Sequence, residues 1–272
     1  MTNTANDHEK RDFTILDRPD VSRVLFHPRR DVQYRTIPLR VRSLTIPVDD
    51  GISVSGRLYR ANADGPIILF FHGNGEIASD YDGISPLFTS RGLNLLVVDY
   101  RGYGSSDGQP TASNLLTDAI EVFRQSATII VEHGFRAQPL FVMGRSLGSA
   151  AAIEIAYRAG RELEGLIIES GFAYTFPLLT TLGLRTSLEG IDEASDGFGN
   201  LTKIAQIGTP TLIIHGREDQ LIPVENAQAL YGHSAASDKK LVTISNAGHN
   251  DLLFMGQETY FDALKAFTER ES

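Results

Sequence analysis

The chain has no cysteine among its 272 residues. That removes disulfide scaffolds, thiolate–zinc sites, iron–sulfur clusters and a cysteine nucleophile at once. Positive charge is also short: 25 basic against 34 acidic side chains leave a net charge of −9. Such a balance argues against non-specific binding to nucleic acid or to an anionic membrane. No apolar run approaches the ~18 residues of a membrane span. The polar opening, MTNTANDHEKRDF, lacks the apolar stretch of a secretory signal. Internal repeats and low-complexity tracts are missing too. What remains is an ordinary globular composition, 42% hydrophobic and 22% charged. The length suits one large α/β domain or two small ones, with a core that needs no metal or disulfide staple. A soluble, cytoplasmic protein is expected.

The first 20 or so residues are polar and aperiodic and read as a loose arm, within an N-terminal stretch of residues 1–40. Leu44, Ile46 and Val48 then alternate with polar neighbours, Asp49-Asp50-Gly51 turns the chain, and Ile52, Val54 and Leu58 resume the alternation. This pattern predicts an antiparallel hairpin with one buried face. Beyond Pro66 the pattern changes to short continuous apolar runs: Ile67–Phe71, Leu95–Val98, Leu140–Met143, Leu166–Ile168, Leu212–Ile214 and Leu241–Ile244. Strands covered by helices on both faces have that signature. Between them, Leu115, Ala119, Phe123 and Ile130 share one helical face that Gly134 terminates, and 147–159 is apolar on nearly every side before Gly160. Strand–helix alternation over some 200 residues predicts an α/β domain with a mostly parallel sheet, residues 41–272. Residues 170–210 break the rhythm with six glycines and no strand pattern, and read as a small cap insertion that cannot bury its own core.

The run Leu140–Met143 leads into Gly144-Arg145-Ser146-Leu147-Gly148, and a helical pattern follows at once. G-x-S-x-G between strand and helix is the context of a nucleophile elbow, in which a sharp turn lifts a serine hydroxyl clear of the sheet. A serine needs a base, and the base an orienting acid. Asp219 and His249 each lie on the loop after a late strand, in the order Ser…Asp…His. Glu218 and Glu169 compete with Asp219 for the role of acid, and chain order and loop position favour Asp219. His8, His27, His133 and His233 read as surface residues, and His72 and His215, at strand ends, as packed or hydrogen-bonded.

The loop His72-Gly73-Asn74-Gly75-Glu76-Ile77-Ala78 has two readings. As Gly73-x-Gly75-x-x-Ala78 it matches a dinucleotide fingerprint, with Asp99 as the ribose acid and Arg101 as a 2′-phosphate contact, which would make an oxidoreductase. As the loop after the third strand it would supply one backbone N–H of an oxyanion hole, Asn74, beside the one from Leu147. The second reading explains Ser146, Asp219, His249 and the loop together.

With these residues placed, the chain from about residue 40 onward resembles the α/β-hydrolase superfamily. The segments that carry the likeness are HGNG (72–75), DYRGYG (99–104), GRSLG (144–148), IIHGREDQLIP (213–223) and AGH (247–249). In detail it is similar to small-lidded serine hydrolases, among them serine aminopeptidase-like esterases and protein-depalmitoylating thioesterases. The resemblance implies an α/β-hydrolase fold, an eight-stranded sheet with only its second strand antiparallel. It implies Ser146, Asp219 and His249 as a catalytic triad, Asn74 and Leu147 as oxyanion donors, and structural roles for Asp99 and Arg101. The expected activity is cleavage of carboxylic esters or thioesters carrying short-to-medium acyl groups, without metal or organic cofactor. Amide or peptide hydrolysis would use the same residues.

Overall fold

In the computed structural model, which describes residues 13–31, 41–136, 139–186 and 190–270, eight strands form a single sheet in the order β1-β2-β4-β3-β5-β6-β7-β8. They are β1 Val41–Asp49, β2 Ile52–Tyr59, β3 Ile67–Phe71, β4 Asn94–Val98, β5 Leu140–Arg145, β6 Gly165–Glu169, β7 Thr211–Gly216 and β8 Lys239–Ile244. β2 is antiparallel to both β1 and β4, while β4, β3, β5, β6, β7 and β8 pair in parallel. Only the second strand therefore runs against the rest, as the resemblance implies. The hairpin turns at Gly51, whose φ of +70° is one that glycine tolerates without strain. In β1 the buried Leu44 and Ile46 alternate with exposed Ser43, Thr45 and Pro47, the mark of a sheet face open to water. β3, β4, β6 and β7 are buried along their whole length, which is why each carries an unbroken apolar run instead of an alternation.

Ten helices surround the sheet among the described residues: α1 Pro19–Leu25, α2 Ser85–Thr89, α3 Ala112–Glu132, α4 Gly148–Ala159, α5 Thr175–Thr181, α6 Glu193–Asp196, α7 Asn200–Ile204, α8 Glu225–His233, α9 Leu252–Met255 and α10 Gln257–Thr268. One core cluster joins α3, α4 and α8 to one face of the sheet; another joins α2 and α10 to the opposite face. The long α3 opens on Thr111, whose hydroxyl accepts from the Asn114 amide at 3.1 Å, and stops before Gly134 at φ +77°. Residues 170–210 hold α5, α6 and α7, with no strand among their described residues.

The N-terminal segment differs from the expectation of a loose arm. Residues 1–12 and 32–40 lie outside the described residues, but 13–31 are docked, with Leu16, Val21, Leu25 and Phe26 buried in the core. Asp17 accepts from the Ser113 amide (3.0 Å) and hydroxyl (2.5 Å), Asp20 accepts from the Thr186 hydroxyl (2.7 Å), and Arg30 forms a β-bridge with Gly104. The seven-residue α1 begins with proline and buries only Val21 and Leu25, a pair one turn apart. So short a stripe does not stand out from its polar surroundings.

Candidate active site

The carboxyl ends of the parallel strands bring the candidate residues together. β5 runs into Ser146, which adopts φ +51°, a left-handed conformation that a non-glycine residue holds only when its surroundings impose it. The Ser146 amide donates to the Glu169 carbonyl at 2.9 Å, tying the turn to the neighbouring strand. The flanking glycines answer to space. A Cβ on Gly144 would stand 2.2 Å from the Gly148 carbonyl oxygen, and one on Gly148 would stand 2.1 Å from the Phe71 carbonyl oxygen. Strand-to-helix reversal this tight needs bare backbone at both positions.

Ser146 Oγ lies 3.0 Å from His249 Nε2, and His249 Nδ1 lies 2.7 Å from Asp219 Oδ2. The other oxygen of Asp219 accepts from the amides of Leu221 (3.0 Å) and Ile222 (2.8 Å). Burial works against the Asp219 charge, but the hydrogen bond and charge of His249 and the Ile222 amide outweigh it and hold the carboxyl below its ordinary range. A carboxylate at Nδ1 makes that nitrogen the N–H donor, leaving Nε2 free to accept from the serine. The competitors stand elsewhere: Glu218 is exposed, and Glu169 bonds Arg145 and the Tyr260 hydroxyl. Burial pushes Glu169 up, against the pull of Arg145 and Tyr260. Asp251 supports the histidine loop by accepting from the Gly248 amide at 2.6 Å.

Arg145 lines the site with a side chain only 11% exposed. Its Nε faces Glu169 at 3.0 Å, its Nη1 faces Glu76 at 2.8 Å, and its Nη2 donates to the His249 carbonyl (2.9 Å) and to Asn250 Oδ1 (3.0 Å). Burial alone would weaken its charge, but the two carboxylates more than compensate and raise its pKa. Asn74, on the loop after β3, is half-buried and bonds the N-terminal segment through its side chain. Its Oδ1 accepts from the His27 amide (2.9 Å) and the Tyr103 hydroxyl (2.7 Å), and its Nδ2 lies 2.9 Å from His27 Nδ1. Leu147 stands at the N-terminal end of α4.

Together these residues open on a pocket of about 190 Å³ lined by Ser146, His249, Asn74, Leu147, Arg145 and Asn250, with an apolar wall of Leu25, Leu178, Leu182 and Leu221. His27 also lines it. Leu25 and His27 come from the N-terminal segment, which sequence reasoning left out of the site; Arg145, Leu221 and Asn250 are further lining residues to which it gave no role. His27, expected only as a surface residue, is indeed exposed but faces the pocket and carries Asn74.

The remaining chemistry-bearing residues are occupied. Asp99 is buried, accepting from the Ser55 hydroxyl at 2.6 Å and the Ala78 amide at 2.8 Å, and Arg101 makes a two-pronged pair with Asp118 at 2.7 Å. The Gly73–Ala78 loop leads into a 3-10 turn, Ala78–Asp82, not into the α-helix that a dinucleotide fingerprint needs to hold pyrophosphate. His72 bonds the Gly73 carbonyl through Nδ1 (2.8 Å), and His215 donates from Nε2 to the Ile222 carbonyl (2.7 Å). Among the described residues no cluster of His, Asp or Glu is arranged to hold a metal ion, and no helix is long and apolar enough to cross a membrane.

The family described as "Serine aminopeptidase, S33" matches residues 63–185 and 183–254. The chain belongs to this family and is an α/β hydrolase. It is similar to human alpha/beta hydrolase domain-containing protein 17B, 32% identical over 210 residues, 75% of this chain and 66% of the relative. The match to the protein of the same description in Xenopus laevis has the same identity and coverage. The chain thus spans just under two thirds of the length of these curated relatives. Among solved structures, an esterase of Pyrococcus furiosus superposes with a TM-score of 0.69 at 20% identity, covering 89% of this chain and 97% of the esterase. A soluble variant of monoglyceride lipase from Saccharomyces cerevisiae follows the same fold at 0.66 and 16% identity, covering 87% and 96%.

Proposed function

We propose that the protein is a serine hydrolase that cleaves carboxylic esters or thioesters of short-to-medium acyl groups through an acyl-enzyme. The observation that carries this reading is the unbroken chain Asp219–His249–Ser146, at 2.7 and 3.0 Å, opening on an apolar-walled pocket. In the first half-reaction His249 Nε2 takes the Ser146 proton as Oγ attacks the acyl carbonyl. Asp219 holds the imidazole tautomer and stabilises the charge that develops on it. The amides of Leu147 and Asn74 bind the oxyanion of the tetrahedral intermediate. Collapse breaks the bond to the leaving alcohol or thiol, which receives its proton from His249. Water, deprotonated by His249, then attacks the acyl-enzyme, and the acid leaves as Ser146 recovers its proton.

Substrate size follows from the pocket. About 190 Å³ lies below the ~300–1,000 Å³ of sites that engulf a drug-sized ligand, which favours a short-to-medium acyl group. Esters and thioesters are favoured over amino-terminal peptides by charge. The described lining holds no carboxylate, so a free α-ammonium group would lack a direct anionic partner. In this reading residues 41–272 form one hydrolase domain, with 170–210 as a small cap. Fluorophosphonate labelling, followed by kcat/KM for p-nitrophenyl esters, acyl thioesters and amino-acid p-nitroanilides, tests it. Label on Ser146 and a maximum at short-to-medium esters or thioesters are expected. Label elsewhere, or turnover confined to the anilides, would overturn it.

A further inference from the structure

The mechanism above leaves one charged group at the pocket wall without a part, the guanidinium of Arg145. Its three nitrogens address three separate segments. Nε pairs with Glu169 at the end of β6, Nη1 with Glu76 on the loop after β3, and Nη2 with the carbonyl of His249 and the side chain of Asn250 after β8. The Glu76 link continues to the neighbour of Asn74: Glu76 Oε2 accepts from the Gly73 amide at 3.0 Å and the Tyr81 hydroxyl at 2.8 Å. Gly73 is what lets the guanidinium come this close, since a Cβ there would stand 2.7 Å from Nη1.

We infer that Arg145 is a positioning residue of the hydrolase, holding the oxyanion loop and the histidine loop in register with Ser146. This rests on the acyl-transfer reading of the Ser146, His249 and Asp219 site. Arg145 touches His249 through its backbone carbonyl and leaves the imidazole free, so it acts on geometry and takes no proton. Stability is a poor reason to bury such a cluster, because removing charges from water costs about as much as their pairing returns. Direction is the better reason. A planar fork meets several acceptors at fixed angles, whereas a lysine in the same place has one nitrogen for all of them. The residue adjoins the nucleophile in sequence, so the fork refers both loops to Ser146 itself.

Arg145→Lys, Glu76→Gln and wild type are compared for thermal melting, fluorophosphonate labelling rate, and kcat and KM on p-nitrophenyl butyrate. Arg145→Lys is expected to melt cooperatively and to lose roughly 30–100-fold in kcat, the order of effect of a misplacement near 1 Å, with KM within about threefold of wild type. Its labelling rate should fall in step with kcat. Glu76→Gln leaves the fork in place but weakens its hold on the oxyanion loop, and about tenfold should be lost in kcat alone. A kcat within about threefold of wild type in both variants, or losses that track KM or the folded fraction, would overturn the inference. Should Arg145→Lys fail to fold, Glu76→Gln decides alone, and an unchanged kcat there overturns it. Wild type that neither labels nor turns over ester would instead overturn the acyl-transfer reading, a result separable from any ratio between variants.

Discussion

Ser146 carries the whole of the proposed chemistry in one hydroxyl. Ser146→Ala should abolish fluorophosphonate labelling and lower kcat by about 10⁶, the residue coming from binding and the oxyanion site alone. Asp219→Asn keeps the size of the side chain but presents an amide to Nδ1, which favours the wrong tautomer; kcat should drop by about 10⁴. Glu169→Gln and Glu218→Gln, one bonded to Arg145 and Tyr260 and the other exposed, should cost far less. A crippling Glu169→Gln would move the acid one strand earlier. Asp219 also has a signature in acid. Its folded carboxyl sits below the ordinary value of about 3.9, so it adds stability above that pH and loses it as pH falls through the lower, folded value. The gap in melting temperature between wild type and Asp219→Asn should be widest near neutrality and should close in strong acid. Melting curves taken across that range check the sign.

At the scale of elements, the pocket is a joint product of α1 and α5 with the loops at the strand ends. Leu182, just past α5 and half-buried, lines it. Leu182→Ala should enlarge the apolar wall and shift the preferred acyl length upward, with kcat/KM for longer esters rising about fourfold for each methylene seated, the equivalent of ~0.8 kcal/mol. A series of p-nitrophenyl esters reads the shift directly. Much of this frame was legible in the residues. Continuous apolar runs mark buried parallel strands, and Ile67–Phe71 coincides with β3 to the residue. The polar ends were less visible: β5 carries on through Gly144 and Arg145, and β8 begins at Lys239, because the hydrogen-bond ladder does not stop where apolarity does. Ser146, Asp219 and His249, assigned to loops after three different strands, do meet in space. Leu25 and His27 could not be read in advance. His27 reaches Asn74 and Tyr103 across 47 and 76 residues of chain, a contact that no local pattern encodes.

At the scale of the whole molecule, two segments distant in sequence supply the pocket's apolar wall, Leu25 from the N-terminal one and Leu178 and Leu182 from 170–210, and the N-terminal one is fastened at several points. The N-terminal piece is held by Asp17 on Ser113, by the Arg29–Asp80 ion pair, by Arg30 on the Ser106 carbonyl and by the bridge to Gly104. A lid that opens on contact with lipid needs the opposite design, few bonds and a free hinge. Catalysis should therefore show no jump as ester concentration crosses the micellar threshold, and kcat/KM measured on either side should agree within about twofold, well under one tenfold step of 1.4 kcal/mol. A sharp rise would mean that the segment lifts.

The bond from Thr186 to Asp20 also sets a timetable. Its two ends are 166 residues apart, and the early end leaves the ribosome first. At about 5–20 residues per second, Asp20 waits roughly 10–30 s for its partner to be made. Through that interval Leu16, Val21, Leu25 and Phe26 have only part of the surface that will bury them. The part of the pocket wall that Leu25 supplies is thus completed only once a segment 166 residues further along the chain has been made, and until then that apolar strip stands bare to solvent and to chaperones.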